Sequence, residues 1–294
     1  MAIVAALASA LCFGVAAALQ QREAGLAVSS GVADPRLLVR LAHRPIWLTG
    51  VCADGLSAAL HVLALSQGSI AVVQPLGVTG LLFAIPLVAV LRRQPVPLRD
   101  ILAAMVVLAG LGVLLQLVPH TTQAAEMGPR VMIIAVPIVA LVFAAAMLGL
   151  AHARPGRPRA LLLAVAAGTS FGIVAVLVRA LLQMMGQPHQ GLGIAAAAVG
   201  IALLVPSGYL LLQQAYRVGY FAATLATAVV VDPLAALLGG VLVLNEPLTH
   251  TPGQAIAAVI SAAAIIAGIA VLATSPAHVF TIAAPQPQVH EGTD

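Results

Sequence analysis

Two stretches of similar sequence decide the fold of this chain: residues 2–19, AIVAALASALCFGVAAAL, and residues 160–177, ALLLAVAAGTSFGIVAVL. They lie 158 positions apart, and the same offset relates residues 109–114 to residues 267–272. In the first pair of segments, Ala6, Phe13, Gly14, Ala17 and Leu19 match Ala164, Phe171, Gly172, Ala175 and Leu177, in that order. In the second pair, Ala109, Gly110, Val113 and Leu114 match Ala267, Gly268, Val271 and Leu272. The pattern predicts one unit that occurs twice, with matched segments at both ends of each copy.

The composition places both copies in a membrane. Hydrophobic residues make up 62% of the chain and charged residues only 7%, which leaves too little polar surface to cover a water-soluble globule. Apolar stretches of about twenty residues recur along nearly the whole length, and each is long enough to cross the bilayer as a helix. We therefore predict an all-α polytopic membrane protein, with the lipid bilayer as its permanent partner.

Nine transmembrane helices are predicted, which form two four-helix repeats and one linking helix. The first repeat occupies residues 1–118, the linking helix with its loops 119–158, the second repeat 159–273, and a disordered cytoplasmic tail 274–294. The predicted spans are 2–21, 46–66, 69–91, 98–118, 130–152, 159–183, 192–214, 218–244 and 252–273. The first and sixth spans correspond, and five crossings separate them, so the two repeats are predicted to be inverted.

Arginines predict the orientation of these spans. Eleven of the thirteen basic residues fall in the odd-numbered connections: Arg22, Arg36, Arg40, Arg44, Arg92, Arg93, Arg99, Arg154, Arg157, Arg159 and Arg217. Because basic loops stay in the cytoplasm, the N-terminus is predicted outside and the C-terminus inside the cytoplasmic membrane. Arg36 to His43 carries two arginines and is too short to span, which favours an interfacial or loop segment.

Composition and motifs also disfavour several other functions. Scattered arginines without a soluble domain offer no surface for nucleic acid, although the net charge is +4. Cys12 and Cys52 fall inside predicted spans, where we expect small buried side chains and no disulfide. No phosphate-binding loop or redox ligand set is present, so no cofactor is expected. Whether the protein forms a homodimer is left open.

Short motifs resemble those of a known transporter family. Residues 215–219, Asp232-Pro233-Leu234 and residues 244–249 (LNEPLT) are similar to the second half of EamA-type repeats in the drug/metabolite transporter superfamily. Residues 47–50 (WLTG) and 71–77 (AVVQPLG) resemble its NIPA-type branch. The resemblance implies helical-repeat transporters, and the NIPA-type branch implies nine helices and magnesium as the transported ion.

Asp54 is the first candidate site residue, since an ionised carboxylate near the middle of a span costs at least about 2.5 kcal/mol. Ser57 and His61 follow at i+3 and i+7, so all three are predicted on one helical face that lines a polar cavity. His61 is a candidate for substrate or proton contact. The alternatives are a protonated Asp54 bonded to a neighbouring helix and a His61 bonded to a carbonyl.

Asp232 is the strongest candidate, because it combines a charge near the middle of the eighth span with a helix irregularity at Pro233. Gln74 is a second polar candidate, next to Pro75, which is predicted to kink the third span and expose carbonyls. The alternative is a kink that serves packing alone. Glu246, at the outer boundary, is a candidate for a gating or structural role, and the alternative is a glutamate that is simply solvated there. Pro75 and Pro233 share that gating or structural role, and magnesium, if transported, would bind Asp54 and Asp232.

Three further motifs have structural explanations. Gln20 and Gln21, at the end of the first span, are either polar cavity residues or boundary residues, and a boundary position is favoured. Residues 168–172 (GTSFG) match a nucleophile-elbow pattern around Ser170, but they lie inside a predicted helix. Their Gly168-xxx-Gly172 spacing instead predicts close helix packing, as does Ala10-xxx-Gly14 in the first repeat.

The sequence thus favours a non-enzymatic transporter of a small metabolite or drug-like solute, which works by alternating access around Asp54 and Asp232. Magnesium transport of the NIPA type is the nearest alternative, because magnesium keeps several waters and needs only one or two carboxylates. An intramembrane hydrolase would require Ser170 to meet His61 within hydrogen-bond distance. A non-transporting membrane subunit would contain no continuous polar cavity between the repeats.

Overall fold

A computed structural model of the chain describes residues 1–27, 31, 34–68, 70–117, 130–185, 190–244 and 251–275. These residues form helices joined by short connections and contain no strand. The helices are α1 (Ala2–Leu26), α2 (Arg36–Ala42), α3 (Pro45–Gln67), α4 (Ile70–Val78), α5 (Gly80–Arg92), α6 (Leu98–Leu117), α7 (Arg130–Ala153), α8 (Arg157–Met184), α9 (Gly191–Val218), α10 (Phe221–Leu244) and α11 (Pro252–Thr274).

Within the described residues, eight helices are long and apolar enough to cross a membrane: α1, α3, α6, α7, α8, α9, α10 and α11. The prediction of an all-α polytopic membrane protein is confirmed at this level. The segment Arg36 to His43 forms the seven-residue helix α2, which is too short to span. Residues 276–294, which include most of the predicted tail, lie outside the described part of the chain.

Local sequence signals set the helix starts. Proline occupies the first turn of α3, α8 and α11, where a missing N–H costs nothing. Thr251 completes a capping box at α11, because its side chain accepts from the Gln254 backbone while the Gln254 side chain accepts from the Thr251 backbone. Helix α1 continues five residues beyond the predicted end at residue 21, as far as Leu26.

The third predicted span is divided at a different place from the predicted kink. Helix α4 passes through Pro75 without interruption and ends at Val78, and α5 begins at Gly80. Thr79 separates them and forms a tight turn, in which both its backbone N–H and its hydroxyl donate to the Leu76 carbonyl, at 3.2 Å and 2.6 Å. The break at Thr79 lies four residues beyond Pro75, and the kink predicted at Pro75 itself stays a prediction.

Glycines let the first helix of each half approach a partner closely. A Cβ on Gly14 of α1 would lie 2.8 Å from Phe83 Cβ and 2.9 Å from the Ala84 nitrogen of α5. A Cβ on Gly172 of α8 would lie 2.8 Å from both Ala235 Cβ and the Ala236 nitrogen of α10. The matched glycines thus face corresponding atoms, and the close packing predicted from their spacing is confirmed.

Helices α6 and α11 join the two halves through a reciprocal contact. Gly110 of α6 meets the Ser261 carbonyl and Ile265 of α11, while Gly268 of α11 meets the Ala103 carbonyl and Val107 of α6. The contact pairs early residues of one helix with late residues of the other, so the two helices run antiparallel. The two contacts are equivalent under the 158-residue offset. Ala103 and Val107 correspond to Ser261 and Ile265, and Gly110 corresponds to Gly268.

Charged residues connect helix ends on the side that carries the arginine-rich connections. Arg44, just before α3, donates to the buried Glu23 carboxylate at 3.0 Å and to the Leu26 carbonyl at 3.3 Å. Asp100 in the first turn of α6 accepts a hydrogen bond from Ser275, just after α11. These contacts join the end of α1 to the start of α3 and the start of α6 to the end of α11.

Replacing Gly172 by valine tests the glycine-dependent packing. The added methyl groups would overlap the α10 backbone, so we expect a loss of about 3 kcal/mol in stability and a lower melting temperature in detergent. Gly149→Val is the matched control, because a Cβ at Gly149 meets nothing within 4 Å. Equal melting temperatures for the two variants would contradict the close approach.

Candidate functional site

A cavity of about 260 Å³ lies between the first and second halves of the helix bundle. Its walls come from α1, α3, α8, α9 and α10. The lining residues are Phe13, Ala17, Gln20, Asp54, Phe171, Val205, Tyr209, Leu212, Tyr216, Leu225, Ala228, Val229 and Asp232. Asp54 and Asp232, which the sequence singled out separately, therefore line the same cavity.

Asp54 lies near the middle of α3, and its carboxylate is hydrogen-bonded to a residue of α9. Its Oδ2 accepts a hydrogen bond of 2.6 Å from the Tyr209 hydroxyl of α9. Among the described residues, α3 packs mainly on α1, α2 and α4 of the first half, whereas this hydrogen bond joins it to the second half. A hydrogen bond to a carboxylate is worth more than one between neutral groups, which makes the pair a significant link between the halves.

Asp232 lies near the middle of α10, and no described residue donates a hydrogen bond to its carboxylate. Pro233 follows it within a helix that continues from Phe221 to Leu244. Because proline has no N–H, it leaves the Val229 carbonyl without its usual helical donor. Val229 also lines the cavity. This part of α10 therefore supplies hydrogen-bond acceptors that the helix itself does not satisfy.

Gln20 was predicted to be a boundary residue, and the structure corrects this. It lies within α1, is 3% exposed and lines the cavity, because α1 continues for six more residues. Its Oε1 accepts a hydrogen bond of 2.8 Å from Gln213 Nε2 of α9. Tyr209 and Gln213 are four residues apart on α9, so one helical face makes both bonds to the first half.

The cavity is closed at the end that faces the arginine-rich connections. Gln20, Tyr216 and Leu225 line that end and are only 1–3% exposed. Lining residues nearer the helix centres, including Phe13, Asp54 and Asp232, are partly exposed. The partly exposed lining residues of the cavity therefore lie near the helix centres.

Four aromatic rings line the cavity, and the sequence reasoning missed their role. Phe13, Phe171, Tyr209 and Tyr216 are four of only ten aromatic residues in the chain. Phe171 and Tyr209 pack edge to face, with ring centroids 5.4 Å apart. The matched pair Phe13 and Phe171 was taken only as a sign of duplication, although the scarcity of aromatic residues was an available signal.

His61 and Ser57 are not among the described residues that line this cavity. Ser57 is buried against α1, where its hydroxyl donates to the Ser9 carbonyl at 2.9 Å and Ser9 donates to the Ser57 carbonyl at 2.8 Å. His61 lies beside Gly77 of α4. Seven residues correspond to about 10 Å along a helix, which carries His61 away from Asp54 although both point in similar directions.

The other predicted site residues have different outcomes. The backbone at Gln74 and Pro75 belongs to α4, but their side chains lie outside the described part of the structure. Glu246 falls in residues 245–250, which are also outside it. Pro233 lies beside Asp232 as predicted. The predicted roles of these residues stay predictions.

Ser170 is inside α8, as expected, and its hydroxyl donates to the Ala166 carbonyl of the same helix at 2.9 Å. The residue is fully buried. In the described structure its recorded bond is this local one, and none joins it to His61. The described residues also contain no group of three or more histidine, cysteine or acidic side chains that could hold a metal ion.

Comparisons with known proteins give little functional information. No family model matches the chain, and no solved structure matches it. An uncharacterized protein of Corynebacterium glutamicum is 27% identical over 255 residues, which cover 84% of this chain and 85% of that protein. The chain is thus similar to this relative over most of its length.

The Tyr209–Asp54 bond can be tested with a double-mutant cycle on thermal stability. Tyr209→Phe and Asp54→Asn should each lower the stability, with a coupling of about 1 kcal/mol, because bonds between membrane helices fall at the low end of the range for charged groups. Tyr220→Phe is the control, since Tyr220 does not line this cavity. Strictly additive effects would show that the two side chains do not interact.

Proposed function

We propose that the protein is an integral membrane transporter that moves a small metabolite or drug-like solute by alternating access. The observation that carries the proposal is a single cavity between the halves, near the helix centres, lined by Asp54 and Asp232. Intramembrane carboxylates are costly and usually face a substrate or ion pathway. The presence of both carboxylates in one cavity also argues against a subunit whose midplane polar residues only hold helices together.

The transporter would consist of two inverted four-helix repeats, with α7 as the linking helix. Equivalent contacts support this arrangement: α1 packs on α3 and α5 as α8 packs on α9 and α10. The matched helices α6 and α11 run antiparallel with reciprocal glycine contacts, as a two-fold axis in the membrane plane would require. Alternating access then follows from rocking one half against the other around a fixed site.

The N-terminus would lie outside and the C-terminus in the cytoplasm of the cytoplasmic membrane, as the arginine-rich connections favour. In that orientation, the buried end formed by Gln20, Gln213 and Tyr216 faces the cytoplasm. The cavity is then closed to the cytoplasm and accessible from the other side. This arrangement corresponds to an outward-facing state of an alternating-access cycle.

Resemblance to the drug/metabolite transporter superfamily, with its EamA-type repeats, agrees with this function. Magnesium transport of the NIPA-type branch is the second candidate, because two carboxylates in one cavity suffice for an ion that retains several waters. The hydrolase alternative has less support, since Ser170 is bonded to its own helix. We therefore propose no enzymatic activity and no cofactor.

Transport by the purified protein in liposomes tests the proposed function. We expect uptake of at least one compound from a panel of amino acids, amines, aromatic metabolites and magnesium, and a loss of at least about tenfold in Asp54→Asn and Asp232→Asn, which equals 1.4 kcal/mol of transition-state binding. Asp100→Asn is the matched control, because this buried carboxylate lies outside the cavity. Unchanged transport in both cavity variants would overturn the site assignment.

Labelling of single cysteines tests the orientation and the closed end of the cavity. In a variant that lacks Cys12 and Cys52, a cysteine at Arg154 should react with an impermeant maleimide only from the cytoplasmic side, since that connection is predicted inside. A cysteine at Gln20 should remain unreactive from the cytoplasm until the opposite state forms. Labelling of Arg154→Cys from outside intact cells would reverse the proposed orientation.

A further inference from the structure

Hydrogen-bond acceptors surround one part of the cavity. Asp232 receives no hydrogen bond from the described residues, and Asp54 uses one oxygen to accept from Tyr209. The Val229 carbonyl adds a further acceptor, because Pro233 cannot donate to it. A ligand that donates hydrogen bonds or carries positive charge would satisfy these groups.

The described lining residues provide no positive charge to balance the two carboxylates. The chain has no lysine, and none of the arginines is among the described residues that line the cavity. A buried carboxylate must be paired, bonded or neutralised, because an isolated charge in a low-dielectric site costs several kcal/mol. For Asp232, a partner can come from water, from a bound proton or from the occupant of the cavity, and a cationic occupant would balance its charge directly.

The aromatic rings of the cavity favour an organic cation over a metal ion as its ligand. Phe13, Phe171 and Tyr209 line the same cavity as the carboxylates. Aromatic faces attract weakly hydrated organic cations and provide apolar contact, whereas a magnesium ion retains its water shell and prefers oxygen ligands. A volume of about 260 Å³ is slightly below the range typical for drug-sized ligands, which indicates a small solute.

We propose that the cavity binds an organic cation, a protonated or quaternary amine with an apolar body. Its positive nitrogen lies at Asp232, and its apolar body packs against Phe13, Phe171 and Tyr209. Asp54 contributes negative charge while Tyr209 holds its carboxylate in place. The statement that this cation is the transported substrate rests on the proposed function. Its binding to the cavity can be tested without a transport assay.

Binding is measured as thermal stabilisation of the full-length protein in detergent, with 2-phenylethylamine and benzyltrimethylammonium as probes. A bound ligand raises the melting temperature in a saturable manner. We expect both cations to stabilise the protein at concentrations at least tenfold lower than neutral 2-phenylethanol, and phenylacetate to have no effect. Equal stabilisation by the alcohol would overturn the proposal in favour of a protonated Asp232, and stabilisation by magnesium chloride alone would overturn it in favour of a metal site.

Variants separate charge from ring contacts. Asp232→Asn should weaken cation binding at least tenfold, whereas Asp232→Glu should retain most of it because the charge remains. Phe171→Leu should weaken binding by roughly tenfold through loss of the ring. Phe143→Leu is the matched control, since Phe143 does not line the cavity. Equal binding by folded Asp232→Asn and Asp232→Glu, checked by gel filtration, would overturn the role of the charge.

Flux in liposomes separates this inference from the proposed function. Saturable cation binding without flux of any compound in the panel would refute transport and leave the ligand class intact. Flux of a neutral or anionic solute that the two cations do not inhibit would refute the ligand class and leave transport intact. Cation flux that Asp232→Asn abolishes would support both.

Discussion

Close approach of helix backbones is the constraint on which the rest of this structure depends. Lipid is as apolar as the side chains, so burial of apolar surface does not by itself hold membrane helices together, and tight packing of small residues must contribute. Gly14 and Gly172 bring the first helix of each half against Phe83 and Ala235, while Gly110 and Gly268 join α6 to α11. These contacts build the halves and connect them, and they leave the cavity between α1, α3, α8, α9 and α10.

The candidate site lies where the two halves differ in sequence at equivalent positions. The backbone of Gly80 lies beside Gly14 in the first half, in the place that Asp232 takes beside Gly172 in the second. Phe13 packs against Gly80, where a side chain at that position would meet its ring at 2.6 Å. One half therefore provides a carboxylate where the other provides space for an aromatic ring. A repeated framework thus gives an asymmetric cavity, with Asp54 on a different helix of its half from Asp232.

Helix α9 makes two side-chain hydrogen bonds that join the halves. Its residues Tyr209 and Gln213 bond to Asp54 and Gln20 of the first half. Tyr216, three residues beyond Gln213, is 2% exposed and helps to close the cavity at that end. The same face thus bonds to one carboxylate of the candidate site and forms part of its barrier. A change at the site would in this way alter the packing of α9 against α1, which is the coupling that the proposed alternating access requires.

The sequence by itself determined the helical membrane character, most helix positions, the matched glycines and the choice of Asp54 and Asp232, because hydropathy, proline placement and the cost of buried charge are local properties. Only the tertiary structure decided that these carboxylates share a cavity with Tyr209, Gln20 and Phe171, and that Ser57 and His61 do not line it. Helical periodicity gives the direction of a side chain around its own axis. It does not determine which distant helix that direction meets, since this depends on helix rotation, depth and close packing between residues far apart in the chain.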